Sequence, residues 1–182
     1  MFGRFKKKKG VKIDYSSKDL AKGFVFEYYV QNWIVTEEYE YDWGEGYFTK
    51  EFKITSGKES FFLSVEEDDG LVLSLTTKSN APEILSAFKN SMRESKKPLE
   101  QIEFEGRSYF LLEESPGYFR DCSKNSGKDD DDWSELISWD YQDKDEKHVL
   151  SVEQWGENNF EFSHGMYIQE FEISNILPAS DD

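Results

Sequence analysis

The sequence predicts an all-β chain: two related antiparallel β-meanders packed as one sandwich or barrel, with one short connecting helix. Three observations predict it. Apolar and polar residues alternate with a period of two, as where Phe61, Leu63 and Val65 interleave with Phe62, Ser64 and Glu66. The tetrapeptide Leu63-Ser64-Val65-Glu66 returns as Leu150-Ser151-Val152-Glu153. Between the two copies stands a single stretch of helical periodicity.

Residues 1–12 read as a basic tail, with Phe2, Arg4, Phe5 and Lys6, Lys7, Lys8 and Lys9 before Gly10. The first β repeat is assigned to 13–79. It opens with a short helical turn between Ser16 and Lys22, stopped by Gly23. Further on, Trp33, Val35, Tyr39, Tyr41 and Trp43 are expected on one strand face. Ile34, Thr36, Glu38, Glu40 and Asp42 are expected on the other. Glu67-Asp68-Asp69-Gly70 marks a hairpin whose return strand carries Leu71, Leu73 and Leu75. The connecting helix and linker take 80–98, with Asn80 as cap, Pro82 in the first turn and Ile84, Leu85, Phe88 and Met92 as an apolar stripe. The second β repeat is assigned to 99–178, broken by a polar loop from Ser123 to Asp132, and 179–182 form an acidic end.

At the offset that relates the two tetrapeptides, Phe52 meets Trp139 and Ile54 meets Tyr141. Upstream, Ile34 to Glu38 aligns with Phe110 to Glu114, and the change of offset falls in the polar loop. Five short strands alone make a marginal unit. The inner faces of the two halves are therefore expected to pack together around a common interior. Phe62 and Val149 then fall on the outer face, as an association surface or under a cover.

Composition narrows the function classes. The net charge is −16, yet five basic residues sit in the first ten; the remainder sets 17 basic side chains against 38 acidic ones. Such a body repels phosphates, so no nucleic acid is expected as partner. Aromatic residues make up 16% of the chain, which sets it apart from disordered acidic sequences. The lone Cys122, the absence of an apolar run of about 18 residues and the absence of a secretory leader predict a cytoplasmic protein.

Several segments resemble a known family. Leu20, Gly23-Phe24-Val25-Phe26, Trp33, Tyr41-Asp42-Trp43-Gly44, Glu51-Phe52 and Leu63 to Glu66 up to Asp69-Gly70 are similar to the bacterial family named domain of unknown function 4178. Tyr109, Trp139-Asp140-Tyr141 and Leu150 to Gly156 look like a second, tandem copy. The resemblance implies no catalytic residues. It does imply a bacterial process linked to envelope stress or to polyamines.

Chemistry-bearing residues are few. Extrapolating the first hairpin to the second pairs Val152 with Phe160, Leu150 with Phe162 and His148 with His164. The two histidines are thus expected to face each other, Cβ atoms about 5 Å apart, as candidate metal ligands. A metal needs a third protein ligand, which the sequence does not name. Glu38, Glu40 and Asp42, with Trp43 nearby, form a candidate acidic and aromatic surface for an organic cation or basic peptide. The acidic run from Asp129 to Asp132 lacks the spacing of a calcium loop. The tail residues Phe2, Arg4, Phe5 and Lys6 to Lys9 are candidates for weak peripheral contact with an anionic membrane, or for folding back on the acidic body. There is no Gly-rich phosphate loop, nucleophile elbow or metalloprotease motif. The expectation is a non-catalytic binding or adaptor protein with an unidentified protein partner and no cofactor. The alternative is a small-cation or metal-binding protein.

Overall fold

Period-two segments joined by short turns build antiparallel neighbours, and this chain repeats the step along almost its whole length. The computed structural model describes residues 14–123 and 132–178. The basic tail, Asp129 to Asp131 and residues 179–182 lie outside the described residues. The first half runs β1 (Val25–Tyr28), β2 (Gln31–Asp42), β3 (Phe48–Ser56), β4 (Glu59–Asp68) and β5 (Gly70–Lys78). Helix α1 (Pro82–Ser95) follows. The second half runs β6 (Gln101–Phe104), β7 (Arg107–Asp121), β8 (Ser134–Asp143), β9 (His148–Trp155) and β10 (Asn159–Ile168), and β11 (Ile173–Leu177) ends the order.

All strands join one antiparallel sheet in the order β11-β1-β2-β3-β4-β5-β10-β9-β8-β7-β6. From β1 to β6 the order is symmetric about the β5–β10 seam. β2 and β7 carry bulges at corresponding places, between Val35 and Glu37 and between Leu111 and Glu113. An extra residue bends a strand and raises its twist. Beyond the bulges the two strands turn toward each other and pair, from Tyr39 opposite Asp121 to Asp42 opposite Tyr118. Their first parts diverge to pair with β1 and β6 instead. The sheet is therefore bent over on itself in a sandwich-like fold rather than closed as a true barrel.

The apolar faces do not meet in a common interior, and this corrects the sequence expectation. Each is covered separately, the first with help from the C-terminal Ile168 and Ile173. Phe52, Ile54, Leu63, Val65, Leu73 and Leu75 pack under Leu20, β1 and Ile173. Trp139, Tyr141, Leu150, Val152 and Phe162 pack under Ile102, Tyr109 and α1, whose Phe88 ring meets Trp139 at 5.0 Å. Two separate cores result, and the polar strand faces are turned toward each other. Phe62 and Val149, expected outside, lie on that inner side.

Three local expectations also change. The bulge in β2 shifts the alternation, so Tyr39 and Tyr41 face away from the side that buries Trp33 and Val35. The hairpins turn one residue later than expected: Val65 opposes Leu73 and Phe162 opposes Val152, because Asp68 pairs directly with Gly70 and Trp155 with Asn159. Helix α1 is preceded by Ala81 at the cap position, without a side-chain hydrogen bond, so Asn80 is not its cap.

The seam leaves a specific test. A Cβ added at Gly165 in β10 would lie 1.9 Å from the Leu75 carbonyl oxygen of β5. At Gly57 the same atom meets nothing within 4 Å, although φ is +59°. Gly165→Ala is expected to cost about 3 kcal/mol or more. Gly57→Ala should cost roughly 1 kcal/mol through φ alone. Thermal denaturation reads the difference, at about 2–4 °C per kcal/mol; equal losses would mean that the two strands do not approach so closely.

Candidate functional site

Facing the polar sides of two half-sheets inward leaves a cavity of about 610 Å³ between them. Its chemistry follows from alternation. In β4 and β9, Leu63, Val65, Leu150 and Val152 fill the two cores, so the residues between them point the other way. Ser64, Glu66, Ser151 and Glu153 therefore line the chamber, joined by Glu51 of β3 and Asp140 of β8. The bulge in β7 brings in Glu113, opposite Asp140. Five carboxyl groups thus face the cavity, Glu51, Glu66, Glu113, Asp140 and Glu153, and among the described residues no lysine, arginine or histidine lines it.

The carboxyls are held by hydroxyl and indole donors. Tyr41 donates to Glu51 at 3.1 Å and Trp155 Nε1 to Glu153 at 3.2 Å, while on the other face of β7 Glu114 accepts from Trp139 Nε1 at 2.7 Å. Ser138 and Ser151 both donate to Asp140, and Tyr47 donates to Glu66. Aromatic residues complete one wall. The Tyr41 and Trp43 rings stack at 5.3 Å, 5° from parallel, and Trp43 Nε1 is fixed on Thr49 at 2.9 Å. At the end closed by β2 and β7, Phe119 packs against Tyr39, Tyr41 and Trp155.

Removal from bulk water raises the acids. Burial, reinforced by Glu51, pushes Glu153 up to about 8. Burial takes Glu51 to about 7, against the opposing pull of the Tyr41 hydroxyl and Lys78. Burial takes Asp140 to about 6, moderated by the Ser151 hydroxyl. Glu113 is also raised, by burial and by the charge of Glu66. Lys78, the basic group that acts on Glu51 and Glu153, is itself paired with Glu161 in an adjoining recess.

The residues singled out in the sequence are placed differently. His148 opposes Met166 and His164 opposes Leu150, so the histidines are diagonal rather than facing, because of the later hairpin turn. His148 Nδ1 lies 2.8 Å from Asp143, which also accepts from Arg107 at 3.0 Å. Burial alone would raise Asp143, but the amide N–H groups of His148 and Lys147 and the His148 ring hold it at about 2. The His164 ring packs on Phe104 at 4.8 Å. Among the described residues no group of three or more His, Cys, Asp or Glu side chains is arranged to hold a metal ion.

The expected acidic surface is largely neutralised: Lys50 pairs with Glu38 and Arg120 with Glu40, while Asp42 accepts from the Gly44 amide. Of that group Trp43 alone reaches the chamber. Burial raises the thiol of Cys122, beside Arg120. The chamber acids were readable in one respect. The repeated Leu-Ser-Val-Glu duplicates a serine and a glutamate on the polar strand face, where only solvent would otherwise meet them.

The family described as "Domain of unknown function (DUF4178)" matches residues 21–170. That single match spans both halves, so the second half is not a tandem copy of the family, as the resemblance had implied. A protein of Aquifex aeolicus (strain VF5) named "Uncharacterized protein" is 27% identical over 160 residues, covering 87% of this chain and 83% of its own. No solved structure matches the chain. No helix among the described residues is long and apolar enough to cross a membrane.

The raised acids make stability depend on pH. The folded chain holds protons on Glu51, Glu153 and Asp140 that the unfolded chain releases above about pH 4 to 4.5. Unfolding then releases protons, so stability falls as pH rises from there through about 8. Glu153→Gln removes one such group and is expected to gain about 1 kcal/mol or more near pH 8, and nothing near pH 4. Urea denaturation at the two pH values measures this; the same effect at both would place Glu153 in ordinary solvent.

Proposed function

The chain belongs to the family of domain of unknown function DUF4178, which comes with no stated activity, and from the chamber's chemistry we propose that it is a binding protein for a small organic cation. The observation that carries this reading is the cavity of about 610 Å³ lined by five carboxyls and, among the described residues, by no basic side chain. Cavities of roughly 300–1,000 Å³ suit small molecules. An ammonium group that replaces the carboxyl protons there ionises the acids and gains charge-assisted hydrogen bonds.

Several features support an elongated ligand with more than one ammonium group. The carboxyls are spread over β3, β4, β7, β8 and β9, so separate charges on one ligand meet separate acceptors. The stacked Tyr41 and Trp43 rings offer faces to methylene groups and to cations. Among the described residues the lining is carboxyl, hydroxyl, aromatic and aliphatic groups, with no histidine or cysteine, which favours binding over catalysis. The reading is compatible with the polyamine-linked process that the family resemblance implies, since polyamines have this chemistry. A role as adaptor for a protein partner is the second reading, favoured by exposed apolar residues such as Tyr29 and Phe171.

Calorimetric titration with 1,4-diaminobutane, spermidine and butylamine tests the proposal. Spermidine and the diamine should bind and butylamine much more weakly. Binding should tighten from about pH 6 to 8, as the carboxyls lose protons while the amines, with pKa near 10, keep theirs. Glu153→Gln and Asp140→Asn should each weaken spermidine by about tenfold or more. No binding at millimolar amine, or equal binding by both variants, would overturn it.

A further inference from the structure

A second cavity, a groove of about 580 Å³, lies on the opposite face of the β5–β10 seam from the chamber. The cation reading does not use it. Its walls come from both halves: Trp33, Phe61 and Leu75 from one, Tyr109 and Met166 from the other. Glu59 and Glu105 are its exposed acids. Arg107 and His148, which also line it, are held by the buried Asp143, and His164 packs on Phe104, so among the described residues Glu59 and Glu105 are the charged groups of its lining with no ion pair.

The lip of this groove is expensive to maintain. Tyr29 is 73% exposed and Val30 fully so, and both have positive φ, +50° and +61°. A β-branched residue in that region is an outlier that persists only where the surroundings impose it. The corresponding turn of the second half has the same conformation and is made of Glu105 and Gly106, a charged residue and a glycine where the first half has an aromatic and a β-branched one. The first half thus keeps apolar side chains on a turn that neither solvation nor backbone preference favours, beside an apolar groove.

We propose that the groove is the docking site of the chain's own basic segment, Phe2 to Lys9. The segment has the complementary chemistry: Phe2 and Phe5 for the apolar floor, and Arg4 and Lys6 to Lys9 for Glu59, Glu105 and the tyrosine faces. It is also tethered within reach. The described chain begins at Asp14, and Ser17 Oγ donates at 3.1 Å to Glu170, in the turn that leads to Ile173. Ile173 is the register partner of Tyr28, in the groove wall. Residues 9 to 14 alone span up to about 17 Å when extended. A tether of this length supplies an effective concentration of about a millimolar, so weak contacts suffice. A second copy is a poor occupant, because two acidic rims would face each other.

Paramagnetic broadening in the full chain tests the proposal. A nitroxide is placed on Gly3→Cys, with Cys122→Ser removing the native thiol. The Met166 methyl and Trp33 indole signals should broaden several-fold more than the Trp139 indole, which is buried in the far core. The effect should vanish in 1 M salt, where screening acts within about 3 Å, and with the exposed charge reversals Glu59→Lys and Glu105→Lys. The salt arm needs no substitution in the groove, so it decides even where a reversal disturbs folding. Uniform broadening over the acidic surface, no broadening, or broadening that survives salt would overturn the proposal. So would broadening of an isotope-enriched, unlabelled chain mixed with a labelled, unenriched one, which would assign the groove to a second copy.

Discussion

The structure depends on which way the polar face of each strand is turned. In an antiparallel sheet one face packs and the other meets water, and the choice binds every residue of a strand at once. Here each apolar face has its own cover, β1 and the C-terminal β11 over the first half, α1 and β6 over the second. The polar faces are left to each other. Bending the sheet then encloses serines, threonines and carboxyls that would elsewhere lie on a wet surface. The raised acids and the chamber both follow from that orientation.

Enclosure changes what the carboxyls are. On an open sheet face Glu51 and Glu153 would be ordinary solvated anions. In the chamber each disfavours the other's charge and burial disfavours both, so the folded chain carries protons near neutral pH. Such a site costs stability when empty, since unpaired buried charge is among the least favourable things a fold can hold. A cationic guest relieves that cost. The twofold pattern matters here, because it supplies acids from both halves, Glu66 and Glu153 at corresponding strand positions.

Much of the architecture was legible in the sequence. The alternation in Phe61 to Glu67, the repeat at Leu150 to Glu153 and the stripe of α1 each reflect a local period that the fold keeps. What escaped was what local period does not contain. The bulges at Thr36 and Leu112 are single insertions with no turn residue to announce them, and each shifts the faces of everything downstream. The hairpin turn at Asp69 lies one residue later than the acidic cluster suggested, which is enough to move His148 from His164 to Met166. Burial pattern alone cannot say whether two apolar faces meet each other or separate covers. The alternation therefore does not contain the chamber, and the acids it makes most conspicuous, Glu38 and Glu40, are neutralised by Lys50 and Arg120.

Infrared spectroscopy of the carboxyl C=O stretch most directly tests whether polar faces, and not apolar ones, meet between the halves. Enclosed acids give a protonated-carboxyl band near neutral pH that solvated acids, with pKa values of about 4, do not. The band is expected at about pH 6.5, to diminish in Glu153→Gln and Glu51→Gln, and to disappear as pH rises past about 8. A spectrum with no protonated carboxyl at that pH, unchanged by either substitution, would mean that these side chains face open water and that no acidic interior exists.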